Sequence, residues 1–421
     1  MAGAMEIDSG YISDRTGAQS YIAPLAILTT LFFAWGVITS LNEILVHHLR
    51  DVFSLSYFQA MAVHTAFFGA YAIVSYPAGI LVKKIGYQRG IVIGLTITAL
   101  GCIGFYPAAE FLNYSMFLGA LFILASGITI LQVSANPYVT ALGKPKTASS
   151  RLSMTQAFNS FGTVIGPLIG GSFILSAAVV SLESATALQK ASAVQSPYLV
   201  LAVCLAALAV VMAFVKLPQL ESQVAEAVGA NNDSAWRHSH LILGAIGIFV
   251  YVGAEVGIAT MIIGFLHEPH IAGLAKADAA NYVSYYFGGA MIGRFLGAYL
   301  MLKIPAKRVL TVNAFASIFL LILAMTFDGA IAMWAVIAIG LFNSIMFPVI
   351  FSLGVEKLGP VTGQGSGILC IAIAGGAIIP PLQGALSDSI GIQLAFALPV
   401  ICYLYIAFYG LVGSKIKTRS S

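Results

Sequence analysis

SMFLGALFILASGITILQVSANPYVTAL, residues 115–142, is a run of 28 residues without one charged side chain. A helix of about 20 apolar residues crosses the hydrocarbon core of a bilayer, so this run is long enough to span a membrane. Lipid offers the backbone no hydrogen-bond partners, and a helix satisfies its amides internally. The run therefore predicts a transmembrane helix.

The composition extends this prediction to the whole chain of 421 residues, since 59% are hydrophobic and only 9% are charged. Soluble domains carry about 25% charged residues. Soluble enzymes, nucleic-acid-binding proteins and disordered scaffolds are therefore excluded. Residues 1–20 are polar and acidic, so we expect no signal peptide. The four cysteines lie inside apolar runs and are expected to be core residues, with neither a disulfide nor a metal site: Cys102, Cys204, Cys370 and Cys402.

Twelve runs of this kind divide the chain. A β-barrel would instead alternate polar and apolar residues over about ten positions, and that alternation is absent. The predicted fold is an all-α membrane protein with twelve transmembrane helices. They lie at residues 21–46, 57–82, 90–109, 115–142, 152–176, 197–215, 241–266, 277–302, 307–327, 330–353, 363–387 and 393–412.

Lysine and arginine lie mainly on one side of these spans, which marks that side as cytoplasmic. Together with the even number of spans, this predicts cytoplasmic termini, and we expect a bacterial inner-membrane protein. The sixteen residues on that side are Arg15, Lys83, Lys84, Arg89, Lys144, Lys146, Arg151, Lys216, Arg237, Lys303, Lys307, Arg308, Lys357, Lys415, Lys417 and Arg419. The opposite side has Arg50, Lys190 and Lys276.

Two pieces of the sequence recur at a nearly constant offset, which indicates a duplication. NPYVTALG and FPVIFSLG place Pro137 and Pro348 211 positions apart, and GPLIGG (166–171) precedes PPLQGA (380–385) by 214. Parallel six-helix repeats around a central site are typical of major facilitator transporters. The predicted organisation is a cytoplasmic tail (1–20), an N-terminal bundle (21–215), a cytoplasmic linker (216–240), a C-terminal bundle (241–412) and a second tail (413–421).

The loop after the second span has glycines on either side of basic residues, GILVKKIGYQRG from Gly79 to Gly90. This pattern resembles the loop signature of the major facilitator superfamily, which assigns gating or structural roles to Gly79, Gly86 and Arg89. The signature's usual aspartate is replaced by Lys83, which puts a charge lock based on that aspartate in doubt. A positively charged loop with a glycine turn is the simpler alternative.

Several longer segments resemble the fucose–galactose–glucose symporter family over nearly the whole chain. Among its members, the LQV-x-ANPYV form is most similar to bacterial glucose/galactose transporters. The segments are FFAWGVITSLNEIL (32–45), LSYFQAM (55–61), LQVSANPYVTALG (131–143), RLSMTQAFNSFG (151–162), YVGAE (251–255), AANY (279–282), IGRF (292–295) and FPVIFSLG. The resemblance implies cation-coupled import of a hexose.

Three charged residues fall well within spans: Glu43, Glu255 and Arg294. A charge in the membrane costs about 2.5–3.5 kcal/mol on insertion scales, so each is a candidate functional residue. In the resembled family, a carboxylate at Glu43 belongs to the coupling machinery. Glu255 is expected to carry a proton, ligate a cation, bind sugar or serve structure. Arg294 is expected to be a gating or structural residue.

The first span carries Trp35, Thr39 and Glu43 on one helix face, bordered by Asn42. A tryptophan ring stacks on the C–H surface of a pyranose, and hydroxyl, amide and carboxylate groups bind its hydroxyls. Trp35, Thr39 and Asn42 are therefore predicted sugar-binding residues. A carboxylate at the outer mouth is the alternative for Glu43.

Amide side chains on later spans extend the predicted sugar site. Amides on neighbouring helices either bind a polar ligand or hold the helices together. The resembled proton-coupled fucose transporters have an acid where this chain has Gln132, and an amide carries no titratable proton. The remaining predicted sugar-binding residues are Gln132, Asn136, Gln156, Asn159, Glu255, Asn281 and Asn343.

These residues predict a secondary transporter, not an enzyme, that imports a neutral hexose such as glucose or galactose by alternating access. The coupling ion is sodium or a proton, with sodium slightly favoured; Glu43, Asn42 and Glu255 are the coupling candidates, and a sodium site near Glu43 is the one metal site considered. No other cofactor is expected. The partners are the hexose, a monovalent cation and the lipid bilayer, with no nucleic acid, and a monomer is expected to be functional. The alternatives are a proton-coupled exporter of amphiphilic compounds and a membrane-embedded sugar transferase.

Overall fold

The computed structural model of the chain describes residues 21–53, 57–170, 192, 195–215, 217–218 and 234–416. It describes the backbone alone at 41–62 (apart from 54–56), 64–65, 167–170, 276–277 and 280. Within these ranges every regular element is a helix, which confirms the all-α prediction.

Twelve helical spans follow one another along the described chain. They are α1 (Ile22–Phe53), α2 (Tyr57–Ile85), α3 (Tyr87–Glu110), α4 (Tyr114–Ala141), α5 (Ala148–Gly170), α6 (Gln195–Phe214), α7 (Ser239–His267), α8 (Lys276–Leu300), α9 (Ala306–Thr326), α10 (Gly329–Asn343 with Met346–Gly354), α11 (Thr362–Ile371 with Gly375–Ile390) and α12 (Ala397–Phe408). The twelve predicted spans are thus confirmed, most of them to within a few residues.

Two spans are interrupted where the sequence predicts continuous runs. In α10 the break at residues 344–345 comes just before Pro348, and α11 is broken by a 3₁₀ turn, Ala372–Ala374, before Gly375 and Gly376. Proline cannot donate to the carbonyl four residues earlier, and glycine stabilises a helix poorly. The interruptions therefore have local causes in the sequence.

Polarity also separates two of the spans from the others. Ten spans within the described residues are long and apolar enough to cross a membrane by composition alone. The exceptions are α5, which carries Gln156 and Asn159, and α8, which carries Asp278 and Arg294. Such helices are stable in a membrane when their polar faces are covered by protein or line a cavity.

Glycines bring equivalent helices of the two halves into close contact. Gly162 of α5 lies against the carbonyl of Phe33 on α1, and Gly375 of α11 lies against the carbonyl of Phe249 on α7. A Cβ atom at either glycine would collide with that backbone, so the contact requires a small residue. Phe33 and Phe249 are 216 positions apart, and Gly162 and Gly375 are 213 positions apart, which agrees with the duplication seen in the sequence. At the offset of 216, the residue of the N-terminal half that is equivalent to Glu255 is Thr39, not Glu43.

The two halves meet at one end of the bundle, here called the basic end because its loops carry Lys83, Lys144, Lys303 and Lys357. Ser149 Oγ lies 2.6 Å from Ser352 Oγ. Ser150 Oγ donates to the carbonyl of Ala298 at 2.6 Å, again between the halves.

Glycines and the last residues of the linker also contribute contacts that close the basic end. The backbones of α2 and α11 touch at Gly79 and Gly363. Gln364 of α11 accepts from the Ala235 N–H at 3.2 Å and donates to Tyr76 Oη of α2 at 3.2 Å. The basic end is therefore closed by contacts between the halves.

Candidate functional site

The N-terminal half contains a group of buried polar side chains on α1, α4 and α5. Gln132 and Asn136 are one turn apart on α4 and are 5% and 0% exposed, and Gln156 of α5 and Trp35 of α1 are each 6% exposed. Burial of amides on adjacent helices places them inside the protein and away from lipid, as the sequence predicts.

Several atoms of this group make no hydrogen bond to any described residue: Trp35 Nε1, Gln132 Oε1, Asn136 Nδ2 and Oδ1, and Gln156 Nε2. A buried polar atom left unpaired costs about 1–3 kcal/mol, so natural folds rarely retain several together without a function. This group therefore has donors and acceptors with which to bind a polar ligand.

Other predicted residues of this half hold the helices in place. Asn159 Nδ2 donates to the carbonyl of Phe32 at 2.9 Å, which ties α5 to α1. The Trp35 ring packs against Phe32, with 5.4 Å between ring centroids. Thr39 Oγ1 donates to backbone carbonyls of its own helix, 3.1 Å from that of Trp35. The amide nitrogen of Asn159 thus serves helix packing.

The C-terminal half has one buried amide, Asn343, in a hydrogen-bonded cluster and another, Gln383 of α11, without a hydrogen-bond partner among the described residues. Asn343 of α10 donates from Nδ2 to Tyr286 Oη of α8 at 2.6 Å and to Tyr403 Oη of α12 at 3.4 Å. Tyr286 Oη in turn donates to the backbone carbonyl of Glu255 at 3.5 Å. This cluster joins four helices and lies beside the charged residues.

Arg294 and Glu255 form an ion pair at the junction of the halves. Arg294 Nη2 lies 3.7 Å from Glu255 Oε1, beyond hydrogen-bond distance, and the two side chains are 16% and 19% exposed. The same guanidinium donates from Nε to the carbonyl of Ser344 at 3.0 Å and from Nη1 to Ser160 Oγ of α5. Arg294 is thus bound to both halves, in line with the gating or structural role predicted for it.

The remaining predicted residues are dispersed. Asn281 lies near the start of α8 with an exposed side chain, and Arg89 is exposed in the first turn of α3. Gly79 permits the close approach of α2 and α11, and Gly86 has φ of 85°, a backbone conformation that favours glycine.

Asn42 and Glu43 lie on α1, but their side chains are outside the described residues, so the predicted cation site there stays a prediction. Among the residues that the structure describes, no three His, Cys, Asp or Glu side chains are grouped for a metal ion.

The tyrosines of the C-terminal half are missing from the predicted site. Tyr286 and Tyr403 are fully buried yet use their hydroxyls to bind Asn343. A search for amides and charges in apolar runs passes over tyrosine, which counts as hydrophobic. A buried tyrosine usually requires a hydrogen-bond partner, and that rule could have identified them.

Comparison with known proteins agrees with this architecture. Residues 25–374 match the Major Facilitator Superfamily, and the chain therefore belongs to that family. It is 54% identical over 415 residues to a glucose/galactose transporter of Brucella abortus, covering 99% of this chain and 100% of that protein.

More distant relatives include the L-fucose-proton symporter of Escherichia coli, 35% identical with 96% of each chain covered. A crystal structure of the major facilitator transporter FucP in the outward conformation matches with a TM-score of 0.85 and 34% identity, over 94% of this chain and 100% of that one. The resemblance to the fucose–galactose–glucose symporters is thus confirmed. The protein is a multi-pass membrane transporter, not an enzyme.

Proposed function

We propose that this member of the superfamily imports a neutral hexose such as glucose or galactose together with a monovalent cation. The observation that carries the proposal is the group of buried, unpaired polar atoms on Trp35, Gln132, Asn136 and Gln156. Sugar hydroxyls both donate and accept hydrogen bonds, so a hexose can pair with indole N–H and with both ends of an amide. The names of the curated relatives support the same class of substrate.

The aromatic residue of the group supports a sugar over a more polar ligand. The indole of Trp35 offers an apolar face for the C–H surface of a pyranose, while its Nε1 offers a donor. An exporter of amphiphilic compounds would be better served by an apolar cavity, and four unpaired side chains fit that function poorly.

Glu255 is the proposed coupling residue within the described part of the chain. Its partner Arg294 also binds Ser160 and Ser344, so neutralising the carboxylate frees a group that joins the two halves. A guanidinium 3.7 Å away opposes the addition of any cation to the carboxylate, a proton as well as sodium, so the ion pair alone does not select the coupling ion. The similarity to an L-fucose-proton symporter supports proton coupling, which we place at Glu255, against the slight preference for sodium drawn from the sequence.

The proposed orientation places the basic end in the cytoplasm of a bacterium, with both termini on that side and the protein in the inner membrane. The contacts between the halves close that end. The proposed state is thus outward-facing, and the similarity to FucP in its outward conformation supports it. Transport proceeds by rocking of the halves, within one monomer.

The test is uptake of radiolabelled glucose and galactose into proteoliposomes, with sodium and pH gradients imposed separately. We expect an inwardly directed proton gradient to concentrate sugar and a sodium gradient to have no effect. Accumulation driven by sodium alone would overturn proton coupling, and uptake that ignores both gradients would overturn symport.

A matched pair of variants tests the coupling residue. Glu255→Gln should retain exchange of labelled for unlabelled sugar but lose accumulation, because it binds sugar without carrying a proton. Glu268→Gln, a loop carboxylate with 40% side-chain exposure, should leave accumulation unchanged. Full accumulation by Glu255→Gln would remove Glu255 from coupling and direct attention to Glu43.

A further inference from the structure

Two prolines at equivalent positions interrupt helical hydrogen bonding in the two halves. Pro137 lies in α4 and Pro348 in α10, 211 positions apart. A proline has no N–H for the carbonyl four residues earlier, so Pro137 leaves the carbonyl of Val133 free and Pro348 leaves that of Ser344 free.

Both free carbonyls have side-chain donors. Ser366 Oγ of α11 donates to the carbonyl of Val133 at 2.8 Å. Arg294 Nε of α8 donates to the carbonyl of Ser344 at 3.0 Å. Donation by a neighbouring side chain is one of the ways in which a membrane helix tolerates an internal proline.

These two hydrogen bonds lie where the halves meet. Ser366 belongs to the C-terminal half and Val133 to the N-terminal half, and both residues are fully buried. Arg294 reaches Ser344 within its own half while its Nη1 binds Ser160 of the other half. At 1.5 Å per residue, Val133 lies about 12 Å and Ser344 about 15 Å from the basic end of its helix. By the same measure, Gln132 lies about 14 Å and Asn136 about 8 Å from the basic end of α4, so the bonds lie at the depth of the buried polar site.

We propose that Pro137 and Pro348 are a paired closing device, in which each proline frees one carbonyl to bind a side chain that joins the two halves, Ser366 in one case and Arg294 in the other. Opening the basic end separates Ser366 from Val133 and displaces Arg294 from Ser160. The carbonyl of Val133 then loses its partner, since Pro137 has no N–H to offer. The prolines thus set the stability of the state in which the basic end is closed.

The test replaces Pro137 by alanine, which restores an N–H for the carbonyl of Val133 and so removes the need for Ser366. The reporter is Ser352→Cys in a chain whose four native cysteines are alanine. Ser352 is 6% exposed between the halves, so its alkylation by a water-soluble maleimide measures opening of the basic end. The assay uses the purified full chain in detergent, where the reagent reaches both ends.

Pro137→Ala and Ser366→Ala should each raise the alkylation rate about fivefold, the factor expected for one neutral hydrogen bond. The double variant should be no faster than Ser366→Ala alone, because both changes act on the same contact between Ser366 and the carbonyl of Val133. Pro348→Ala should act in the same direction, since the restored N–H competes with Arg294 for the carbonyl of Ser344.

Two control variants match these changes in chemistry. Pro107→Ala removes another internal proline, on α3 of the same half. Ser134→Ala removes a buried hydroxyl that donates within its own helix, to the carbonyl of Ile130 at 2.7 Å. Neither should alter the rate. If Pro137→Ala does not fold, Ser366→Ala against Ser134→Ala decides the question.

Equal rates for Ser366→Ala and Ser134→Ala would overturn the proposal, as would additive effects of Pro137→Ala and Ser366→Ala. The device rests on the alternating-access cycle proposed above. The alkylation assay needs neither sugar nor ion, so its failure is distinct from a failure of hexose transport.

Discussion

The two halves have the same helix packing but use their buried polar groups differently. In each half a glycine of the fifth helix lies against a phenylalanine carbonyl of the first, Gly162 on Phe33 and Gly375 on Phe249. In the N-terminal half the buried amides retain unpaired atoms. In the C-terminal half Asn343 donates to two tyrosines and Glu255 pairs with Arg294, although Asn343 Oδ1 and both amide atoms of Gln383 have no partner among the described residues.

This difference suggests a division of labour after the duplication. Unpaired groups favour a ligand over neighbouring side chains, so the N-terminal half is equipped for recognition. Paired groups stabilise one arrangement of helices and are destabilised when the pairing changes, so the Asn343 cluster and the Glu255–Arg294 pair of the C-terminal half are suited to coupling and closure. The predictions below test this comparison.

The largest effect is expected from joining the halves covalently. Ser149 Oγ and Ser352 Oγ are 2.6 Å apart, close enough for a disulfide between cysteines at these positions. The double variant Ser149→Cys/Ser352→Cys is made in a chain whose native cysteines are replaced. Oxidation should form the disulfide and abolish sugar uptake, and a reductant should restore uptake. Each single variant serves as a control. Undiminished uptake by the cross-linked protein would refute movement of the halves at this contact.

The next largest effect is expected from Arg294→Ala, which leaves Glu255 without its partner at the junction. Unfolding should become easier by about 2 kcal/mol, between the values for exposed and buried pairs. Thermal unfolding in detergent measures this, with exposed Arg308→Ala as the control.

The double variant Arg294→Ala/Glu255→Gln tests whether the lost stability comes from the unpaired Glu255 carboxylate, because the double variant no longer has that charge. Its stability should recover in part while accumulation of sugar stays lost. A double variant as unstable as Arg294→Ala alone would contradict a stabilising ion pair.

The sequence predicts the spans better than the contacts between them. The bounds of α4 are 114–141 against a predicted 115–142, because an uncharged run of that length has one stable conformation in lipid. The pairing of Glu255 with Arg294 depends on how α7 and α8 are rotated against each other, and one sequence does not give that rotation. The sequence identifies both residues, because a charged side chain is costly in the membrane, but it does not show that they pair with each other.

The predicted sugar-binding residues are likewise recognisable from the sequence, whereas their contacts are not. Gln132, Asn136 and Gln156 are recognisable as amides in apolar runs, and the structure buries all three. Their unpaired atoms appear only once the neighbouring helices are known. Asn159 carries the same amide group, yet its nitrogen is used to hold α5 against α1.

The smallest effects come from two substitutions that distinguish the halves directly. Gln156→Leu removes an amide whose Nε2 has no partner among the described residues. Stability should therefore stay the same or rise, because an unpaired buried polar group adds nothing to folding. The affinity for sugar should fall about tenfold, the loss of about 1.4 kcal/mol expected for one or two hydrogen bonds.

Asn343→Leu should give the opposite pattern, because it strands the hydroxyls of Tyr286 and Tyr403 in the protein interior. Stability should fall by about 1–3 kcal/mol with little change in sugar affinity. Thermal unfolding and equilibrium binding of labelled galactose measure both quantities on the same samples. If Asn343→Leu weakens binding as much as Gln156→Leu and leaves stability intact, the sugar site is shared equally between the halves. The division of labour would then be wrong, since a shared site requires Asn343 to bind sugar in preference to its tyrosines.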